Sequence, residues 1–405
     1  MNTDTRKYYL DWLRVITVAL LVPHHAAITF SHIGDAYVLT REPVNSLYFF
    51  IQSTFLNLWF MRLLFFISGI AAFYGLRKRS HREFLTERVK RLLVPTLFGV
   101  ALLCPASAYM LAKNTYGFTG SLLQFYPVFF SNFEKYLGWG HFWFLAYLFV
   151  YSVILIGIRK YCGGTCSRYR ERMGRLLSAG NGIFLPMAAV VFLEMVFRPF
   201  YPGRQNLYAD WANVTVYLLF FLAGYAFGSR EDFLEAVTKK IGGFGLLGGI
   251  SAGCYIVLAY IQWRSPQYAG RIHTAGYGYA AFSAFFRGIA EYSLVMVCVG
   301  TARKYLNRRG PVFSYLTKTS FALYIFHFVL LSLIMYFLIG IPANPFLLYG
   351  IAAAGTYLLF ILVFELIVKR ISPLRFICGI KSDPPEQQKK PPQRTAPEDL
   401  SHEKA

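Results

Sequence analysis

Arg14 and His25 lie in one apolar segment, eleven residues apart. A helix turns about 100° and rises about 1.5 Å per residue, so eleven steps return the chain to nearly the same face roughly 16 Å further on. One helix therefore carries a permanent cation near one end and a titratable imidazole toward the other. Ionisable groups in apolar helices are costly and usually face an interior site or path. Imidazole, with an unperturbed pKa of about 6.5, is the usual proton acceptor near neutral pH. The plain structural alternative is a snorkelling arginine and a packed histidine. Asp11, three residues before Arg14, is placed to hold it. Pro23 lacks an amide hydrogen, so it can kink the helix and leave carbonyls for a ligand or a neighbour.

Other polar residues interrupt the apolar segments. Glu194 and Arg198, and Arg287 and Glu291, are each four apart, a spacing that allows mutual neutralisation. His141 opens one segment and His327 sits inside another; both read as rim or core histidines. Arg88-Val89-Lys90-Arg91 abuts a segment start. It is either topological positive charge or an anion site, since guanidinium forks suit phosphate oxygens.

These residues must be held by membrane helices. Of 405 residues, 56% are hydrophobic and only 15% charged, against roughly a quarter charged in soluble domains. Ten segments are long and apolar enough to suggest spans of about 20 residues: 10–32, 54–76, 92–112, 141–158, 183–200, 211–228, 242–262, 282–302, 319–339 and 346–368. The fold class is all-α, a polytopic integral membrane protein with about ten transmembrane helices. The net charge of +21 does not point to nucleic acid. The stretches 77–91, 159–175, 230–240 and 303–318, together with both termini, hold 31 of the 41 Lys and Arg, the opposite side holds 7, and three lie within helices. Positive charge stays in the cytoplasm, so both termini are expected there.

Residues 1–380 read as one membrane domain. Residues 381–405, rich in Pro and charge, read as a disordered cytoplasmic tail. The first segment contains Arg14, Pro23 and two histidines and reads as a retained helix rather than a cleaved signal. The six cysteines form no framework. Cys162 and Cys166 have no second ligand pair, so no metal site is expected.

Two soluble-enzyme patterns are decoys. Gly249-Ile250-Ser251-Ala252-Gly253 and Gly243-Phe244-Gly245-Leu246-Leu247-Gly248 would each need a preceding strand, yet both fall in one apolar helix. There Gly245, Gly249 and Gly253 at spacing four read as a packing face for a neighbouring helix.

DWLRVITVALLVPHH, LFFISGIAAFYGLRKRSHREFLTERVKRLLVP, GHFWFLAYLFV and TSFALYIFHFVLL together resemble the polytopic membrane acyltransferases of acyltransferase family 3, over roughly residues 8–380. The Arg-x10-His pair and the LFFISG block followed by RVKR and LLVP carry most of that specificity. The helix layout and the ending FELIVKRISPLRF are similar to the periplasmic glucan succinyltransferase type. The resemblance implies a bacterial inner-membrane enzyme that moves an acetyl or succinyl group from cytoplasmic acyl-CoA to a hydroxyl of an extracytoplasmic glycan. Acyl-CoA would be a co-substrate, with no permanently bound cofactor, and the partners would be acyl-CoA, the glycan and the bilayer. Arg14 and His25 fill the catalytic Arg-x10-His motif, and Arg88 and Arg91 fill the Arg-x-x-Arg motif linked with acyl-CoA. Arg62 departs from the pattern, and contact with an acidic acyl chain or acceptor, or simple snorkelling, would each account for it. The outer Trp139, Trp143, Trp211 and Trp263 would stack on sugars or form an interfacial belt. The competing class is a transporter or glycan flippase, since buried Arg, His and Glu also line transport paths.

Overall fold

A computed structural model describes residues 7–31, 39, 46–136, 138–201, 203, 205–228, 230–265 and 276–380. Among these residues the regular structure is entirely helical. That is the expected outcome for long apolar stretches, because a backbone without water must satisfy its hydrogen bonds within the segment. Among the described residues, eight helices have the length and apolarity of membrane spans. All ten apolar segments are helical, but two fall short of that standard. Gly182–Phe197 is a shorter apolar helix, and Trp211–Phe227 meets it only when joined across a sharp bend to Glu231–Lys239. The tail at 381–405 lies outside the described residues.

The first span is broken. Helix α1 covers Tyr8–Ala19 and α2 covers Leu21–Ser31. Pro23 has no amide hydrogen for the Ala19 carbonyl. The Tyr357 hydroxyl donates to that carbonyl instead, at 2.7 Å, and Gln52 Nε2 donates to the Pro23 carbonyl at 3.2 Å. A neighbour takes up the one acceptor that Pro23 frees, the Ala19 carbonyl.

Helix α3, Leu47–Lys78, runs through the middle of the molecule, packing on α1 and α2 and on helices from later in the chain. Helix α4, His81–Thr115, starts at a capping box. There the Glu83 amide donates to Ser80 Oγ and the Ser80 amide donates to Glu83 Oε2. Pro95 and Pro105 would each orphan a carbonyl within α4. Each follows a π turn, Val89–Leu93 and Gly99–Leu103, whose closing bonds run from the Val94 amide to the Val89 carbonyl and from the Cys104 amide to the Gly99 carbonyl. Such turns are frequent at functional sites, and the first contains Lys90 and Arg91.

The remaining helices are α5 (Leu122–Ser131), α6 (Trp143–Ser178), α7 (Leu185–Phe197), α8 (Trp211–Phe227), α9 (Glu231–Lys239), α10 (Ile241–Arg264), α11 (Gly276–Tyr305), α12 (Phe313–Leu338), α13 (Pro345–Val368) and α14 (Ser372–Ile377). Helices α1, α2, α12 and α13 gather on one side of α3, and α7, α8, α10 and α11 on another. The α3–α8 contact is unusually close. A Cβ on Gly69 would lie 2.0 Å from the Phe221 carbonyl oxygen, and one on Gly224 would lie 2.0 Å from that of Phe66. Small residues let membrane helices approach in this way.

Among the described residues, nothing packs on the glycine face expected on α10. Gly245, Gly249 and Gly253 meet open space, whereas Gly248 packs on Ser293 and Leu294 of α11. Phe244, Gly248, Ser251 and Ala252 form the buried face of α10, so the four-residue glycine spacing falls on its other side.

Candidate active site

His24 and His25 lie in the first turns of α2, a helix buried on nearly every side. Across from them stands His327 on α12, fully buried, its ring centre 5.4 Å from that of His25. His141 belongs to a short turn, Gly140–Phe142, just before α6, and its ring lies 4.7 Å from His327. The His24 and His25 rings are 5.2 Å apart. Phe60 closes the His24 end at 4.8 Å, and Phe328 packs on His25 at 5.1 Å and on His141 at 5.6 Å. Four imidazoles from three separated segments thus form one chain in an otherwise aromatic core. Among the described residues, no three His, Cys, Asp or Glu side chains are placed to share a metal ion.

The backbone fixes which nitrogens are available. His327 Nδ1 is 2.8 Å from the Tyr324 carbonyl oxygen, and His141 Nε2 is 3.2 Å from that of Ile325. A carbonyl only accepts, so each of these nitrogens carries the hydrogen, and in the neutral ring the opposite nitrogen keeps its lone pair. His327 Nε2 and His141 Nδ1 are those opposite nitrogens, and both are buried without a hydrogen-bond partner among the described residues, as is His24 Nδ1. Buried polar atoms are nearly always paired, so these nitrogens are open to a reactant or to water. Tyr324 reinforces the arrangement by donating its hydroxyl to the His141 carbonyl at 2.6 Å. From the sequence, both His141 and His327 read as rim or core histidines. The available signal was that each breaks an apolar run, which says nothing about whether they meet.

Arg14 is placed differently. It is exposed on α1, with its guanidinium 2.9 Å from Asp11 Oδ1, as the spacing anticipated. It does not meet His25, which is buried about 16 Å further along the broken helix. Arg88 and Arg91 lie near the start of α4. Arg88 stacks on Phe84 at 4.6 Å. Arg91 Nε is 3.4 Å from Glu87, which also pairs with Arg79 at 3.0 Å. The Arg91 guanidinium also lies against Gly379, beyond α14, so a later segment borders this basic turn. Arg159 of α6 approaches His81 at the same end of the bundle.

A second polar cluster lies across α3. Phe60 faces His24, and Arg62, about 200° around the helix, faces the other way. Arg62 neither snorkels nor is exposed. Its Nη2 is 2.5 Å from Glu291 Oε1 and 4.0 Å from Glu194, its Nη1 donates to the Asn57 carbonyl, and its guanidinium lies 4.9 Å over Tyr217. The two anticipated pairs are present and joined. Arg198 grips Glu194 through two bonds of 2.7 Å, and Arg287 is 2.8 Å from Glu291 and 3.5 Å from Glu194. Arg198 also donates to Asn213, and Arg287 to the Tyr255 hydroxyl. Trp143 is buried, stacked on Tyr217 at 5.6 Å, so it belongs to the core and to no sugar-stacking surface.

The apolar helices describe a multi-pass helical membrane protein with a buried histidine cluster and a basic turn on α4. A family model described as an acyltransferase domain, of the acyltransferase 3 family, matches residues 7–365. The chain belongs to that family. It is similar to proteins described as glucans biosynthesis protein C, at 28% identity over 160 residues in Escherichia coli strain SMS-3-5 and at 27% over 160 residues in Escherichia coli O157:H7. In each case the match covers 38% of this chain and 39% of the relative, so it spans about two fifths of those proteins. No solved structure matches the chain.

Proposed function

We propose that this protein moves an acetyl or succinyl group from cytoplasmic acyl-CoA to a hydroxyl of an extracytoplasmic glycan, with a glucan as acceptor, in the bacterial inner membrane. Both termini and the basic stretches then face the cytoplasm, which the distribution of Lys and Arg supports. The observation that carries the reading is the buried histidine cluster around His25, in a chain whose family is an acyltransferase family. Arg88 and Arg91 stand at the donor end, where guanidinium groups suit CoA phosphates. Arg91 would exchange its Glu87 partner for phosphate. Arg14 stands on the donor's route along α1, and the acyl thioester ends its path near His25.

The chemistry is one exchange. His25 takes the proton of the acceptor hydroxyl as its oxygen attacks the thioester carbonyl. The tetrahedral intermediate collapses with loss of the C–S bond, the new ester remains on the glycan, and the leaving thiolate takes up a proton to give free CoA. Burial excludes water, which would otherwise compete as acceptor.

The test uses purified protein in detergent with acetyl-CoA or succinyl-CoA, with and without glucose oligosaccharides. CoA release is followed, and the sugar product is read by mass spectrometry. The expected result is glycan-dependent CoA release with an acylated product, and a higher apparent KM for acyl-CoA in an Arg88→Ala/Arg91→Ala variant. No turnover with either donor, together with unchanged envelope glycans in a deletion strain, would overturn the reading and favour a transport path.

A further inference from the structure

After α13 the sequence reads ISPLRFICGI, with Pro373 in the first turn of α14 and Gly379 two residues past its end. Proline suits a first helical turn, and glycine suits the left-handed turn that closes a helix. The closure is a Schellman motif. The Gly379 amide donates to the Phe376 carbonyl at 3.0 Å and the Ile380 amide to the Arg375 carbonyl at 2.8 Å, with Gly379 at φ +65. The turn is anchored, because Cys378 is buried and Leu374, Ile377 and Ile380 pack on the core. Helix α14 lies against Val94–Phe98 of α4 and Phe364–Val368 of α13. Gly379 itself meets one side chain. A Cβ there would lie 2.6 Å from Arg91 Nη1 and 3.7 Å from its Cζ, and among the described residues nothing else beyond the chain neighbours comes within 4 Å. The Arg91 guanidinium thus occupies the space that a side chain at 379 would fill. Its Nε is 3.4 Å from Glu87, and the side chain is still 48% exposed, so it stays accessible to a ligand.

We infer that Gly379 is a positioning residue of the donor site, whose bare Cα, held by the Schellman turn, keeps the Arg91 guanidinium aimed for a CoA phosphate. The inference deepens the acyltransferase reading and rests on its assignment of Arg91 to the donor. An arginine on a surface loses rotamer freedom when it grips a ligand, and a wall that restricts it beforehand reduces that loss. When Arg91 leaves Glu87 for phosphate, the turn still bounds it on the α14 side. Gly379 touches no substrate and acts only through Arg91. A Cβ at 379 would meet the far end of a flexible side chain rather than backbone, so Arg91 gives way and the anchored turn stays. The substitution therefore disturbs the aim of Arg91 more than it disturbs the fold.

The experiment is steady-state transfer to glucose oligosaccharides by the full-length protein in detergent, with succinyl-CoA or acetyl-CoA, whichever the wild type uses. Thermal midpoints are read alongside. The variants are Gly379→Asn, Gly379→Ala, Arg91→Ala and Gly379→Asn/Arg91→Ala. Asparagine tolerates the left-handed backbone better than alanine does, so it adds a Cβ with the least strain and serves if Gly379→Ala does not fold. Losing one charged contact in Arg91→Ala should raise the KM for acyl-CoA on the order of tenfold. Gly379→Asn and Gly379→Ala should each raise it by a smaller, similar factor, with kcat and the glycan KM unchanged, although alanine lowers the thermal midpoint more. The double variant should match Arg91→Ala, since a residue that acts only through Arg91 has nothing left to act on. An unchanged acyl-CoA KM in Gly379→Asn, or a rise that persists in full in the Arg91→Ala background, would overturn the inference and leave the acyltransferase reading intact. An unchanged KM in Arg91→Ala would remove Arg91 from the donor site and overturn the inference with it. A wild-type protein that turns over no acyl-CoA would overturn both the inference and the reading.

Discussion

Two polar clusters lie on opposite faces of α3, and they differ in how they are satisfied. Toward α7, α8 and α11, Arg62, Arg198 and Arg287 are matched with Glu194 and Glu291 through bonds of 2.5–2.8 Å. Toward α2 and α12, the histidines are aligned by backbone carbonyls yet retain three buried nitrogens without partners. Charge in a membrane interior must be neutralised, and the first cluster does that for itself. Both clusters keep buried polar atoms without a hydrogen-bond partner among the described residues, Arg62 Nε and Glu291 Oε2 in the first and three imidazole nitrogens in the second. Burial of ionisable groups is common to both regions, so it does not mark the reactive one. What separates the two is that the first binds its charges to one another, three arginines with two glutamates, whereas the second gathers imidazoles, the side chains suited to moving a proton near neutral pH.

The sharpest way to break this contrast is to remove one member of each cluster. His25→Ala should abolish transfer in a protein that still inserts and survives detergent extraction, with a loss of roughly 10²–10⁴-fold in turnover. His24→Ala should cost less, since His24 sits at the Phe60 end of the chain of rings. Near wild-type turnover in His25→Ala would move the reactive centre to His141 and His327.

Glu291→Gln should do the reverse. Removing one partner of a buried ion pair leaves Arg62 and Arg287 uncompensated and costs about 3–5 kcal/mol. The loss should show as a lower thermal midpoint in detergent and a smaller yield of folded protein, with the folded fraction keeping its KM values. A stable Glu291→Gln protein that has lost turnover would place the ion cluster in the reaction and erase the distinction.

The smallest effect tests how the first span is shaped. Tyr357→Phe removes the donor to the Ala19 carbonyl at the helix break and should cost about 1 kcal/mol. Turnover should fall modestly through displacement of α2. A larger fall in turnover than in stability would show that the break aims the histidines.

Much of this was legible in the sequence. Apolar length located the helices, Pro23 marked the break beside His25, and the four-residue spacings marked Glu194–Arg198 and Arg287–Glu291 as pairs. The basic turn was visible as residues, but its link to Gly379 was not. The α10 glycines misled, because spacing identifies a shared face without saying which face meets a neighbour. Arg14 and His25 share a stripe by period, yet one is exposed and bound to Asp11 while the other is buried.

The sequence by itself determined a helical membrane protein of the acyltransferase kind, its apolar segments and the residues able to do chemistry. Those properties are local, since a segment without water must bond its own backbone and a helix repeats its faces at a constant angle. Only the tertiary structure decided which of the ionisable residues meet. It brought His327 beside His25 and His141 beside His327, and joined Arg62 to both glutamates. Those outcomes depend on which helix faces pack together, and packing between distant segments is set by the shape and close approach of whole helices, such as Gly69 against Phe221.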